Sequence, residues 1–374
     1  MFRVGQRMPI VIVAPQVWSP LDFLIRLRRK SFRPIAAEYE VVDGIEVFRP
    51  KVFSVPGFFK SLDGWFMARG SRKVFQSIVK NFKPTIVDAH FVYPDGFAAG
   101  LLAKESGLPL TITIRGSKDE WLIGTSREPM LKRALHQATR LFAVSDALKQ
   151  NVAVKLGVAA DKVRVVGNGV DLAKFYQVDR HEARARLGIA PATKVMIGVG
   201  GLIPRKGFHR VIPLVKQISK DVPDFLYLIV GGGFSQGDMR TSLEELAVSN
   251  GVSAHVKFCG PQKPEDLKWF YGAADIFVLA TEHEGWANVF LEAMACGLPV
   301  ITTDVGGNSQ VVNSKSLGTI IPYWEPAGFA CAITEALGQA WDRAQIMNYA
   351  KSNDWQSRVD VLEQEFNQIN KACA

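Results

Sequence analysis

Two glutamates stand eight positions apart in "EGWANVFLE", residues 284–292. Ionised carboxylates accept hydrogen bonds from hydroxyl groups. The run "DIFVLA" (275–280) just upstream has the composition of a strand. Gly285 permits a tight turn, Asn288 can cap a helix, and Gly297 with Pro299 ends it. Glu284 then lies in the loop at the strand's carboxyl end. Glu292 lies about one turn into the helix, facing back toward the same mouth. Unpaired N–H groups at a helix start carry about half a positive charge and attract a phosphate or a polyhydroxylated ligand. The set fits a sugar nucleotide, with the diphosphate between the carboxylates, the sugar at one end and the ribose at the other. The same spacing also fits a capped helix with a solvent-facing glutamate.

Other residues add to this chemistry. Arg205 and Lys206 in "GLIPRKG" follow the strand-like "KVMIGVG" (194–200). They can neutralise a leaving diphosphate as charge develops on it; alone, they read equally as a solvated basic turn. His90 ends "TIVDAH" (85–90) and Arg115 ends "LTITIR" (110–115). A lone histidine at a strand end is more often structural than catalytic. The glycines of "VGGGFSQG" (230–237) are a weak signal, and neither G-x-G-x-x-G nor G-x-x-x-x-G-K-[ST] is present. That demotes dinucleotide oxidoreductases and P-loop NTPases. Cys259, Cys296, Cys331 and Cys373 show no C-x-x-C spacing, which argues against a zinc knuckle or a disulfide framework.

Elements must carry these residues. Short apolar runs alternate with helix-length amphipathic stretches, and the pattern restarts after residue 190. The first half offers strands at 10–14, 45–50, 85–90, 110–115, 140–145 and 163–168. The second offers 194–200, 226–232, 255–260, 275–280 and 299–304. Runs that are apolar on both faces belong in parallel sheets covered by helices. The expected fold is α/β, with two doubly wound Rossmann-like domains facing across a cleft and ligands at the strands' carboxyl ends.

Length and charge set further bounds. A chain of 374 residues is long for one core, and 48% apolar with 22% charged residues is globular. No apolar run reaches membrane-spanning length, and "PIVIVAP" reads as a first strand, not a signal peptide. A cytoplasmic protein is expected. The net charge of +9 is uneven: residues 1–172 carry +11 and residues 173–374 carry −2. The first half therefore faces something anionic. The stretches 23–33 and 60–83 are rich in Lys and Arg, with Trp65, Phe66, Met67, Phe75 and Phe82 interleaved in the second. They resemble segments that lie on anionic lipid, though amphipathic helices packed on a sheet look the same.

The stretch "EGWANVFLEAMACGLPVITTDVGG" is similar to the E-x7-E region of retaining glycosyltransferases of family 4, which have the GT-B fold. "VGGLIPRKGFHRVI" (199–212) resembles that family's phosphate-binding strand, loop and helix. "DAHFVYPDGFAAGLLAK" (88–104) and "ITIRGS" (112–117) resemble its acceptor-side loops, and "VVGNGVDLAKF" (165–175) its interdomain junction. The resemblance spans nearly the whole chain, with motifs in order. It implies that Glu284 contacts the donor sugar and Glu292 the ribose, with Gly285, Trp286, Ala287, Asn288 and Val289 along the sugar and diphosphate. It implies Cys259, Gly260 and Pro261 near the nucleobase, His90 at the reaction centre, and Arg115 on the acceptor or phosphate side. Two departures stand out. Gly201 occupies a position where relatives often carry Arg, a role open to Arg205. The first loop, "APQVWSPLDF", lacks the usual glycine pair.

The expectation is a retaining transferase acting on a nucleotide-diphosphate sugar and a glycan or lipid-linked acceptor, in cell-surface polysaccharide or glycolipid synthesis. A sugar-nucleotide epimerase or a non-catalytic binding protein would be the alternatives. Residues 1–172 form the acceptor domain and 173–354 the donor domain, while 355–374 form a helix returning to the first. The expected partners are the donor, the acceptor and an anionic membrane surface at the inner face of the plasma membrane, with no nucleic acid. No D-x-D motif is present, and neither metal nor cofactor is expected.

Overall fold

The computed structural model describes residues 2–28, 32–233, 237–323 and 325–373. It divides into two compact units. The first holds the chain to Gly167 together with the residues from Val359 on; the second is Asn168–Arg358.

In the first unit the strands are β1 (Val11–Val13), β2 (Gln16–Trp18), β3 (Tyr39–Val42), β4 (Ile45–Phe48), β5 (Lys51–Phe53), β6 (Val87–His90), β7 (Leu110–Ile114), β8 (Arg140–Ala143) and β9 (Val163–Val165). The last four form a parallel sheet in the order β6-β7-β8-β9. All five residues of β7 are buried, as its unbroken β-branched and apolar composition requires. A second sheet runs β1-β4-β3, with β3 antiparallel to β4. Asp43 and Gly44, both at positive φ, make that hairpin turn. The glycine-free first loop is itself a strand, since β2 pairs parallel with β5. The helix Asp63–Phe82 buries Met67, Phe75 and Ile78, while Trp65 and Phe82 of segment 60–83 stay exposed. Of segment 23–33, residues 29–31 lie outside the described residues.

The second unit is one six-stranded parallel sheet: β10 (Lys194–Val199), β11 (Phe225–Val230), β12 (Val256–Gly260), β13 (Ile276–Leu279), β14 (Val300–Thr303) and β15 (Gly318–Ile321), ordered β12-β11-β10-β13-β14-β15. Its core joins the sheet to flanking helices through Val195, Ile197, Phe208, Leu228, Phe277, Phe290 and Phe329. The chain builds outward from β10 through β11 to β12, then returns to place β13 on the other side of β10. That reversal leaves an opening at the carboxyl ends of β10 and β13, where such sheets bind ligands.

Candidate functional site

The loops after β10 and β13 meet at that opening. Gly207 holds φ 76°, and a Cβ there would lie 1.8 Å from the Ala280 carbonyl oxygen. The bare glycine lets the Arg205–Lys206 turn sit against the end of β13. Three further backbone bonds fix the rim: Leu202 N–H donates to Gly232 O (2.9 Å), Gly231 N–H to Gly260 O (2.9 Å) and Glu282 N–H to Arg205 O (2.9 Å). Within "VGGGFSQG", Gly231 approaches Gly200 so closely that a Cβ would lie 1.8 Å from its carbonyl oxygen; residues 234–236 lie outside the described residues.

Glu284 is buried, and its Oε1 lies against two cations and one hydroxyl. Lys206 Nζ lies at 2.7 Å, Arg205 Nη1 at 3.0 Å and Thr281 Oγ1 at 3.1 Å. Arg205 Nη1 also donates to His283 O at 2.7 Å. A buried carboxylate needs such compensation. Two cations against one carboxylate leave a positive surplus, suited to a diphosphate. Among the described residues no donor is recorded on Glu284 Oε2, so that oxygen can accept a ligand hydroxyl. Gly306, at φ 55°, presses on the Glu284 backbone, and a Cβ there would meet its carbonyl oxygen at 1.7 Å.

The helix after Glu284 runs Asn288–Ala295. Asn288 is its first residue and not its cap. Ala287 holds the cap position with no side-chain hydrogen bond, and Asn288 Oδ1 is instead occupied by Asn168 Nδ2 at 2.9 Å. The helix-start amides thus lack a side-chain cap, as an anion site requires. Gly285 and Ala287 are buried, Trp286 and Val289 partly so. The Trp286 indole N–H is buried without a partner among the described residues. Glu292 keeps part of its surface open, yet burial of its carboxyl pushes its pKa up to about 7, against the opposing pull of the Tyr271 hydroxyl and Lys206. Tyr271 donates to Glu292 Oε2 at 3.3 Å. Cys259, Gly260 and Pro261 close the end of β12, two strands from β10, and Pro261 packs near Gly232. Burial pushes the pKa of the Cys259 thiol up.

In the first unit, Arg115 Nε donates to His90 Nδ1 at 2.5 Å. A proton on Nδ1 would oppose that N–H, so the neutral ring carries its proton on Nε2. Nε2 lies 3.2 Å from Asp88 Oδ2 but without hydrogen-bonding geometry, and it is otherwise buried and unpartnered. A cavity of about 590 Å³ runs between β1 and β6 and reaches His90 and Asp95. Asp119 supports the turn after β6, accepting from the N–H of Val92 (3.2 Å) and Tyr93 (3.3 Å).

The structure therefore gathers Arg205, Lys206 and Glu284 into direct contact, sets Glu292 on the adjacent helix, and places His90 with Arg115 in the other unit. Thr281, Tyr271, Asp88 and Asp119 escaped sequence reasoning. Thr281, three residues before Glu284 at the same strand end, had a positional signal; the others had none.

Two family profiles match the chain. "Glycosyltransferase Family 4" covers residues 26–174 and "Glycosyl transferases group 1" covers 179–353. A Bacillus subtilis glycosyltransferase named for teichuronic acid biosynthesis is 27% identical over 83% of this chain and 75% of its own length. The D-inositol 3-phosphate glycosyltransferase of Mycobacteroides abscessus is 33% identical over 71% of this chain and 62% of its own. Among solved structures, Anabaena HepE in complex with UDP and glucose superposes with a TM-score of 0.72, covering 95% of this chain and 91% of its own at 18% identity. The fold is thus Rossmann-like, two-domain and of GT-B type, and the family profiles make the chain a glycosyltransferase. The chain belongs to the family 4 glycosyltransferases, with a group 1 second half.

Proposed function

We propose that the protein is a retaining transferase that moves a sugar from a nucleoside-diphosphate donor to a glycan or lipid-linked acceptor in cell-surface polysaccharide or glycolipid synthesis. It works in the cytoplasm at the inner face of the plasma membrane. The observation that carries the reading is the buried Glu284 held by Arg205 and Lys206 at the sheet's switch point. In the proposed complex the diphosphate takes up the two cations. Glu284 then turns its charge to a sugar hydroxyl, and Glu292 accepts from the ribose. The departing nucleoside diphosphate is stabilised by Arg205 and Lys206, with Arg205 standing in for the basic residue absent at Gly201. This assigns the diphosphate's charge to side chains in place of a metal. His90 serves donor-sugar contact or proton handling, with Arg115 bound to its Nδ1. Cys259, Gly260 and Pro261 border the base.

Nucleoside diphosphate release from a panel of donors, with and without lipid-linked acceptor and with chelator, tests the reading. Uridine donors come first, because HepE was solved with UDP. Acceptor-dependent release that survives chelation is expected. Interconversion of donor sugars without release would make the protein an epimerase.

A further inference from the structure

In the first unit, exposed large apolar side chains collect on two segments. The short helix Asp22–Arg28 presents Phe23 and Leu27, each 69% exposed, with Leu24 beside them. Just before the turn Lys60–Leu62, Phe58 and Phe59 stand 67% and 65% exposed. Solvent-facing aromatics in adjacent positions cost solubility unless something covers them.

The two segments are clamped together. Asp22, buried, accepts from Ser19 Oγ (2.9 Å) and Arg33 Nη1 (3.0 Å). The same Arg33 nitrogen donates to Ser54 O at 2.8 Å, and Lys60 Nζ donates to Ser54 Oγ at 3.0 Å. The tip between them is a tight loop, with Gly57 at φ 81° and Phe59 at φ 54°. Nothing lies within 4 Å of the Cβ position at Gly57. Two phenylalanines are thus held out on a braced loop beside the apolar face of a helix.

We infer that Phe23, Leu24 and Leu27 of the short helix, with Phe58 and Phe59 of the loop, form a membrane-insertion face that seats the first unit in an anionic bilayer. Charge selects this occupant. Arg28, exposed, shares the short helix with the apolar residues. Arg26 on that helix is tied to the carbonyls of Phe32 and Arg33, Lys60 is paired with Asp63, and residues 1–172 carry +11. A second copy of the chain would set that charge against its like, whereas an anionic leaflet attracts it. The inference rests on the membrane-side acceptor of the reading above and moves the contact away from the helix Asp63–Phe82. It also changes the expected behaviour. Capture is electrostatic and weakened by salt, but buried aromatic surface retains the bound protein when salt is raised.

The test is co-sedimentation of the full chain with phosphatidylcholine vesicles, with and without phosphatidylglycerol, at low and high salt. The native chain should bind the anionic vesicles and stay partly bound at high salt. Phe58→Ser with Phe59→Ser, or Leu24→Ser with Leu27→Ser, should each weaken binding by about tenfold or more, with thermal unfolding and nucleoside diphosphate binding unchanged. Variants that bind as the native chain does would overturn the inference. So would a native dimer in sedimentation velocity that the variants lose, which would assign the face to a second copy. Vesicle binding is read without turnover. A chain that binds vesicles through these residues but releases no nucleoside diphosphate would sink the enzymatic reading and leave this one standing.

Discussion

Glu284 is the residue on which the site turns, and its substitution should move two measurements in opposite directions. Glu284→Gln removes the charge that partners Arg205 and Lys206. Free nucleoside diphosphate should then bind tighter, by about tenfold at low salt, because a like charge near the ligand is gone. Transfer should fall at least about tenfold in kcat, since a hydrogen bond to a charged acceptor is roughly twice as strong as to a neutral one. Calorimetry and steady-state kinetics read the two effects, and a parallel fall in both would remove Glu284 from the sugar side. Lys206→Ala should weaken diphosphate binding, and unchanged affinity would leave that cation with only a structural task. Glu292 makes the pH prediction. Its folded pKa of about 7 lies above the ordinary 4.5, so the fold disfavours its charged form. Its contribution to stability is full below the ordinary value and is lost as pH rises through 7. A ribose that donates hydroxyls to the ionised form therefore binds tighter as pH rises across about 7. Glu292→Gln should flatten that profile; a slope retained in the variant would place the titrating group elsewhere.

At the scale of elements, the site depends on turns that tolerate no side chain. Gly306, after β14, holds the Glu284 loop from behind. Gly306→Ala should destabilise the protein by at least about 2 kcal/mol, because the added methyl meets backbone and φ is positive. It should also lower diphosphate affinity, since the Glu284–Lys206 contact must shift. Urea denaturation and calorimetry read the two, and a urea midpoint equal to the native value would contradict the packing described. Most of the long strands were legible in the sequence. β7, β10, β11, β13 and β14 are apolar on both faces, which leaves few alternatives to a buried parallel strand. β2, β5 and β15 were not legible, because QVW, KVF and GTII each open on a polar residue or glycine and offer only two apolar residues. β3 could have been found from "VVDGIEV", where Asp43–Gly44 sits between alternating apolar residues.

For the whole molecule, the last helix matters most. It runs Trp355–Cys373, and its residues from Val359 on belong to the first unit. Phe366 meets Phe142 edge to face at 5.9 Å, within a core that includes Val4 and Val166. Arg7 bridges Asp360 and Glu363, and Arg140 bridges the buried Glu365 at 2.8 Å. Phe366→Ala should cost about 3 kcal/mol or more, measured by urea denaturation, while diphosphate binding in the second unit stays at the native value. Lost diphosphate binding in a folded variant would show that the two units are coupled through this helix.

The sequence by itself determined the class of the fold and the position of the loops that carry Arg205, Lys206, Glu284 and Glu292. Strand patterns and helix punctuation are local, and the ends of Glu284–Glu292 and the Arg205–Lys206 turn follow from them. Tertiary structure decided which of these residues touch. That Glu284 Oε1 takes both Lys206 and Arg205 depends on β13 returning beside β10, across a separation of nearly eighty residues. The Asn288 side chain turned to Asn168 and left the helix start uncapped, a choice local propensity could not reveal. The rise in Glu292's pKa and the tautomer of His90 likewise come from neighbours that only packing supplies. The basic, aromatic first half was visible as composition, yet which aromatics are buried was not. Met67 and Phe75 went into the core, and Phe58 and Phe59 stayed outside, because helix phase and a braced loop set side-chain direction, and composition carries neither.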